Sequence, residues 1–221
     1  YRWIEKWLRK AKDMNMRVIG VSHQNILAHN KLFIAGYKIT NSSRLVDLYN
    51  KYNVRINLSG HMHIQHMAEH KRVHDIALAC LGLYPNLYGV LDMDLRNNMT
   101  YHTESLDVAY WMKKYKNQDS DLLDFENTSR EYFVRCTRLQ TEKQLAKLDL
   151  SKEYKEMMMD FMVDTNIHYF SGSLDKRPDL SLDNPAYKLW MDHCERTFTG
   201  SYLNSIYTDT ISDHNRLEIF Q

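Results

Sequence analysis

Apolar residues in the opening segment recur every three or four places: Trp3, Ile4, Trp7, Leu8, Ala11 and Met14. That spacing predicts an amphipathic helix, with Asn15 as its stop. Residues 17–21 then form a short β-branched, apolar run with Gly20, which predicts a buried strand. His23 follows almost at once. Asn41-Ser42-Ser43 offers a helix cap ahead of Leu45, Leu48, Tyr49 and Tyr52. Residues 54–58 are the next predicted strand, turned by Ser59-Gly60 into His61. A helix–strand–helix–strand order with short connections implies neighbouring parallel strands. In open α/β sheets, ligands collect beyond the carboxyl ends of the strands. His23, His61 and His63 fall at that edge.

Residues 73–79 and 88–95 read as further strands, with a turn at 83–86 between them. Arg96-Asn97-Asn98 is a tight turn into residues 99–103 and predicts a hairpin. The pattern changes near Ser105, where strand signals fade and helical stripes take over. Val108, Trp111, Met112 and Tyr115 make one stripe. Tyr132, Phe133, Cys136 and Leu139 make another, capped at Thr128 or Ser129. Tyr154, Met157, Met158, Phe161 and Met162 make a third, capped by Ser151, with Met157, Met158 and Met162 read as core. Pro185 starts a helix carrying Leu189, Trp190, His193 and Cys194. The expected class is α/β over residues 1–104, followed by a mainly helical domain over 105–221.

Length and charge narrow the function. A chain of 221 residues can bury a sizeable core in one or two domains. A net charge of +1 gives no field that would draw nucleic acid or an anionic membrane. No apolar run approaches the roughly 20 residues that span a bilayer. Cys80, Cys136 and Cys194 are too scattered for a disulfide framework or a zinc knuckle, and are expected to be buried free thiols. The chain opens at Tyr1 directly in helical periodicity, without an initiator Met or a signal-peptide pattern, and is expected to be part of a longer protein.

Seven of the eleven histidines lie between His23 and His74. His66, His70 and His74 alternate with Glu69, Lys71 and Arg72, and read as a solvated surface. His29 reads as a solvated loop residue within reach of a substrate. His61 and His63 differ. In an extended segment, side chains two apart share a side, and Gly60 lets the backbone turn sharply before them. Neutral imidazole is a common ligand for zinc, iron and manganese. These rings, with His23, are the candidate metal ligands.

At these residues the chain resembles the calcineurin-like metallophosphoesterase superfamily. The closing motifs are similar: a lone His after a strand, here Val21-Ser22-His23-Gln24-Asn25, and Gly60-His61-Met62-His63. Asp75-Ile76-Ala77 with Tyr84-Pro85-Asn86-Leu87-Tyr88-Gly89 resembles a bacterial, cyclic-nucleotide phosphodiesterase-like branch with a helical C-terminal region. The resemblance implies the C-terminal half of an αββα sandwich and two divalent or trivalent metal ions, manganese, iron or zinc. His23 and His61 would serve one ion and His63 the other.

The family's earlier motifs, Asp-x-His, Gly-Asp-x-x-Asp and Gly-Asn-His-Asp/Glu, do not occur here. The resemblance therefore places the catalytic His upstream of Tyr1, makes the missing N-terminal segment a required partner, and implies that the isolated chain is inactive. The expected substrate is a small phosphodiester, a cyclic nucleotide first, with Gln24, Asn25, His29 and Asn86 as contacts. Tyr88 is expected in the core rather than at the rim. A phosphomonoesterase, or a non-catalytic scaffold keeping part of a metal site, are the alternatives. Export toward a bacterial cell envelope is implied by the resemblance alone.

Overall fold

The structure is a computed structural model and describes residues 1–211 and 213–220. The amino-terminal part alternates α1 (Arg2–Asp13), β1 (Gly20–Val21), α2 (Ser42–Lys51), β2 (Ile56–Ser59), β3 (His66–His70) and β4 (Val73–Ala77). A hairpin, β5 (Leu87–Met93) and β6 (Met99–Ser105), follows. Helices α3 (Val108–Tyr115), α4 (Phe125–Leu145), α5 (Lys152–Phe170), α6 (Pro185–Cys194) and α7 (Phe198–Tyr207) come next, and β7 (Arg216–Ile219) comes last.

The first sheet has the order β1-β2-β4-β3. β1 pairs with β2, and β2 with β4, both in parallel, as the helix–strand order predicts. β3 returns antiparallel to β4. Strand side chains alternate between faces, so one face of this sheet packs on α1 and α2 through Leu8, Leu45, Val46, Leu48, Tyr49 and Val73. The other face carries Ile56, Met67 and Ile76. These meet Met99, Tyr101 and Ile219 from the second sheet, β5-β6-β7. The layers are therefore helices, sheet, sheet.

The helices after residue 107 have their own core, in which Met158, Trp190 and Leu203 are fully enclosed. The Trp190 indole N–H donates to the Met158 carbonyl at 2.9 Å, so its polar atom is satisfied inside. Ser151, Asn184 and Thr197 cap α5, α6 and α7 through side-chain oxygens that accept backbone N–H groups. Gln65 is one place where this bundle is joined to the sheets. The Gln65 N–H donates to the Phe170 carbonyl at 3.0 Å. Gly172, at φ +64°, lies so close to Gln65 that an added Cβ would sit 2.6 Å from the Gln65 carbonyl.

Several expectations need correction. β1 covers only Gly20–Val21, paired with Asn57 and Leu58, rather than the whole of residues 17–21. α4 starts at Phe125 rather than near Thr128, since the Ser129 hydroxyl donates to Asn86 Oδ1 and is not available as a cap. α7 and β7 were not expected at all. β7 pairs antiparallel with β6, so the terminal segment crosses residue 105 back to the sheets. Tyr88 is 38% exposed, and its hydroxyl pairs with Glu104 instead of packing inside. Cys194 is buried, but Cys80 and Cys136 are only half-buried. Among the described residues, no helix is long and apolar enough to cross a membrane.

Gly20 marks the tightest packing beneath the candidate edge. A Cβ there would stand 2.6 Å from both Asn57 Oδ1 and the Tyr49 hydroxyl. Gly20→Ala is expected to lower unfolding free energy by about 1–3 kcal/mol, read as a reduced urea midpoint with unchanged slope.

Candidate functional site

The chain leaves β1 at Val21 and reaches His23 within two residues. The Ser22 N–H donates to the Leu58 carbonyl, and the Gly60 N–H donates to the His23 carbonyl, both at 3.0 Å. These bonds hold the ends of β1 and β2 side by side. His23 Nε2 and His61 Nδ1 consequently lie 3.0 Å apart, with rings edge-on at 4.9 Å. The Tyr37 ring closes the other side of His61 at 5.1 Å.

The backbone around these histidines is not the extended segment expected from the His-x-His spacing. His61 has φ +67° and His63 φ +58°. The Met62 N–H donates to the Gly60 carbonyl at 2.8 Å, closing a three-residue γ-turn on His61. A positive φ at the centre of such a turn is rare and strained for a residue with a Cβ. Gly60, expected to supply the turn, is not among the positive-φ residues. The strain is carried by the histidines themselves.

As a donor set, two adjacent imidazole nitrogens fit one cation but do not complete its coordination sphere. His63 stands exposed on the next turn. Among the described residues, His23, His61 and His63 do not form a group with all three donor atoms within 4.8 Å.

The expected substrate contacts have other work. Asn25 is 1% exposed and donates from Nδ2 to Ser59 Oγ at 2.7 Å, so it fastens the loop after His23 to the end of β2. Asn86 is 4% exposed, and its carboxamide joins the Leu81 carbonyl to the Ser129 hydroxyl. Gln24 is half-buried and donates to the Gly36 carbonyl. His29 is not a solvated loop residue; its ring is fully buried beside Asp75. His66, expected on a solvated surface, is also buried, and His74 is half-buried, whereas His70 is exposed.

Asp75 is the centre of the buried polar structure. Its Oδ2 accepts from the Ile26 and Leu27 N–H groups at 2.6 and 2.9 Å. Its Oδ1 accepts from Asn57 Nδ2 and Ser59 Oγ, each at 2.9 Å. His29 Nε2 lies 3.2 Å from Oδ2, without an aligned hydrogen bond. Burial pushes the Asp75 carboxyl up, but His29, the Leu27 N–H and Asn57 together outweigh it and hold the group below its usual range.

From His29 a chain of imidazoles runs outward. His29 Nδ1 faces His66 Nδ1 at 3.0 Å, and His66 Nε2 lies 2.8 Å from Asp209 Oδ2. His214 stacks on His66 at 4.0 Å, and its Nε2 lies 3.0 Å from the same oxygen. His66, Asp209 and His214 have donor atoms close enough to hold an ion. Their protonation points elsewhere. The Met67 N–H donates to His214 Nδ1 at 3.0 Å, so the ring proton of neutral His214 sits on Nε2 and bonds Asp209. A nitrogen occupied in that way cannot ligate a metal. The arrangement is a latch fixing residues 209–214 to β3.

Burial drives His66 down to about 4, against the pull of Asp209. Burial also pushes Asp209 up, but the bonds from His214 and His66 outweigh it and hold the carboxyl far below its usual range. The chain carries no local sign of this cluster, because His66 lies more than 140 residues before Asp209 and His214.

The sign of the pH effect follows. His66 is neutral in the fold down to about pH 4, whereas the unfolded ring takes up a proton near 6.5. Between those values the unfolded chain binds more protons, so stability falls as pH falls. Urea midpoints measured from pH 7 to pH 4 are expected to drop steadily, and His66→Gln is expected to flatten that slope between pH 6.5 and 4.

Comparison with known proteins adds one finding. A search of the curated proteins finds no match. Residues 107–213 match the family model of the C-terminal domain of cyclic nucleotide phosphodiesterase. The matched stretch covers just under half of the chain and takes in α3 to α7 together with Asp209. The helical part of this chain is thus similar to a domain of a phosphodiesterase.

Proposed function

We propose that the chain carries part of the metal edge, and the helical domain beside it, of a metal-dependent phosphodiesterase. One coincidence in space supports this reading most. A segment similar to a cyclic nucleotide phosphodiesterase domain packs against the loop that also touches His61. The helix–sheet–sheet layering accords with part of an αββα metallophosphoesterase sandwich.

His23, His61 and His63 are the metal-ligating residues in this reading. Neutral imidazoles offer in-plane lone pairs suited to manganese, iron or zinc, and each of these ions takes donors beyond the rings named. Cations held there would polarise a phosphoryl oxygen and lower the pKa of bound water. The chain's own residues do the placing. Asn57, Ser59 and Asp75 lock the loop carrying His23 to β2 and β4. The 3.0 Å bond between Gly60 and the His23 carbonyl sets the spacing of the rings. The substrate is a small phosphodiester, with cyclic nucleotides first.

Two substitutions separate ligation from folding. His61→Ala is expected to weaken manganese or zinc binding by the chain roughly a hundredfold or more, measured by competition with a chromogenic chelator. His63→Gly relieves a left-handed φ, and is expected to leave stability unchanged or raise it by up to about 1 kcal/mol while also weakening metal binding. Equal metal binding by the original chain and both variants would defeat the proposal.

A further inference from the structure

A cavity of about 410 Å³ opens between Phe33, Tyr37, Met62 and helices α4, α5 and α7. Its size is in the range of small-ligand sites. One wall is aromatic. Phe33 meets Tyr37 at 5.1 Å and Phe198 at 6.0 Å, and Phe198 stacks over Tyr202 at 6.4 Å with ring planes 6° apart. Phe198 is 64% exposed although it packs on Phe33 and Tyr202, so one ring face stays open to the cavity mouth.

The polar part of the lining is made of carboxamides rather than charges. Gln144 makes no side-chain hydrogen bond among the described residues. Asn166 accepts from the Tyr202 hydroxyl at 2.8 Å through Oδ1, which leaves its Nδ2 as a free donor. Flat aromatic walls with unengaged carboxamides suit a planar group that has both hydrogen-bond donors and acceptors on its edge. A purine has that character: bases stack on aromatic side chains, and Gln or Asn pairs with an adenine edge.

Position adds a second argument. Tyr37 lines the cavity and touches His61 at 5.1 Å, and Met62 lines it from within the Gly-His-x-His segment. His23 and His61 do not line the cavity themselves; Tyr37 and Met62 connect its wall to the imidazole pair. We infer that this cavity takes the purine base of a nucleotide whose phosphate lies at His23 and His61. The inference rests on the phosphodiesterase reading for the second half of that statement, but base binding can be tested by itself.

The test uses nucleosides, which lack the phosphate. The 221-residue chain, labelled at its Met methyl groups, is titrated with adenosine and separately with uridine and inorganic phosphate. Adenosine is expected to shift the Met62 and Met162 methyl signals in a saturable way, and to bind more tightly than uridine. Phe198→Ala and Gln144→Leu, both checked for retained folding by circular dichroism, are expected to weaken adenosine binding about tenfold. Absence of saturable shifts at the solubility limit of adenosine overturns the inference, as does equal binding of uridine or binding unaffected by either variant. Adenosine binding without metal binding at His61 leaves this inference standing and removes the phosphodiesterase reading. Metal binding without adenosine binding does the reverse.

Discussion

A carboxylate with no access to water organises this protein. Asp75 lies on β4, and its two oxygens accept from the 26–27 backbone, from Asn57 and from Ser59. An ionised group in that position is tolerable only while every lone pair has a donor. Each donor belongs to a segment that must be in place: the loop after His23, and the strand ending before His61. The spacing of the two imidazoles at the sheet edge is therefore fixed from below, by a residue that does not itself reach the edge.

The same carboxylate begins the chain of rings that holds the carboxyl-terminal segment. His29 stands between Asp75 and His66, and His66 shares Asp209 with His214. Residues 209–214 are joined in this way to β3, and β7 continues from them onto β6. The bundle is fixed to the sheets by Gln65, Phe170 and Gly172, and by the packing of Ile64 with Tyr169 and Ile206. Such multiple attachment explains how a cleft between a loop of the sheet domain and three helices keeps a defined shape. The strained turn at His61 persists because the Gly60 carbonyl bond, His23 and Tyr37 over-determine it.

The sequence by itself determined the local elements. The periodic stripe of Trp3, Trp7 and Leu8 is α1, and Ser151 and Asn184 cap the helices they precede. The parallel pairing of β1 with β2 followed from element order, and the meeting of His23 with His61 followed from the pairing. Tertiary structure alone decided the remainder. Whether a histidine among charges is solvated or buried depends on what packs against it, and for His66 that is His214, 148 positions later and without any local signal. Whether Asn25 and Asn86 face solvent or tie down a turn was settled by Ser59 and Ser129 arriving from other elements. Spacing in a chain fixes hydrogen bonds and periodicities a few residues long, whereas burial and partnership belong to segments that meet only when the whole chain folds.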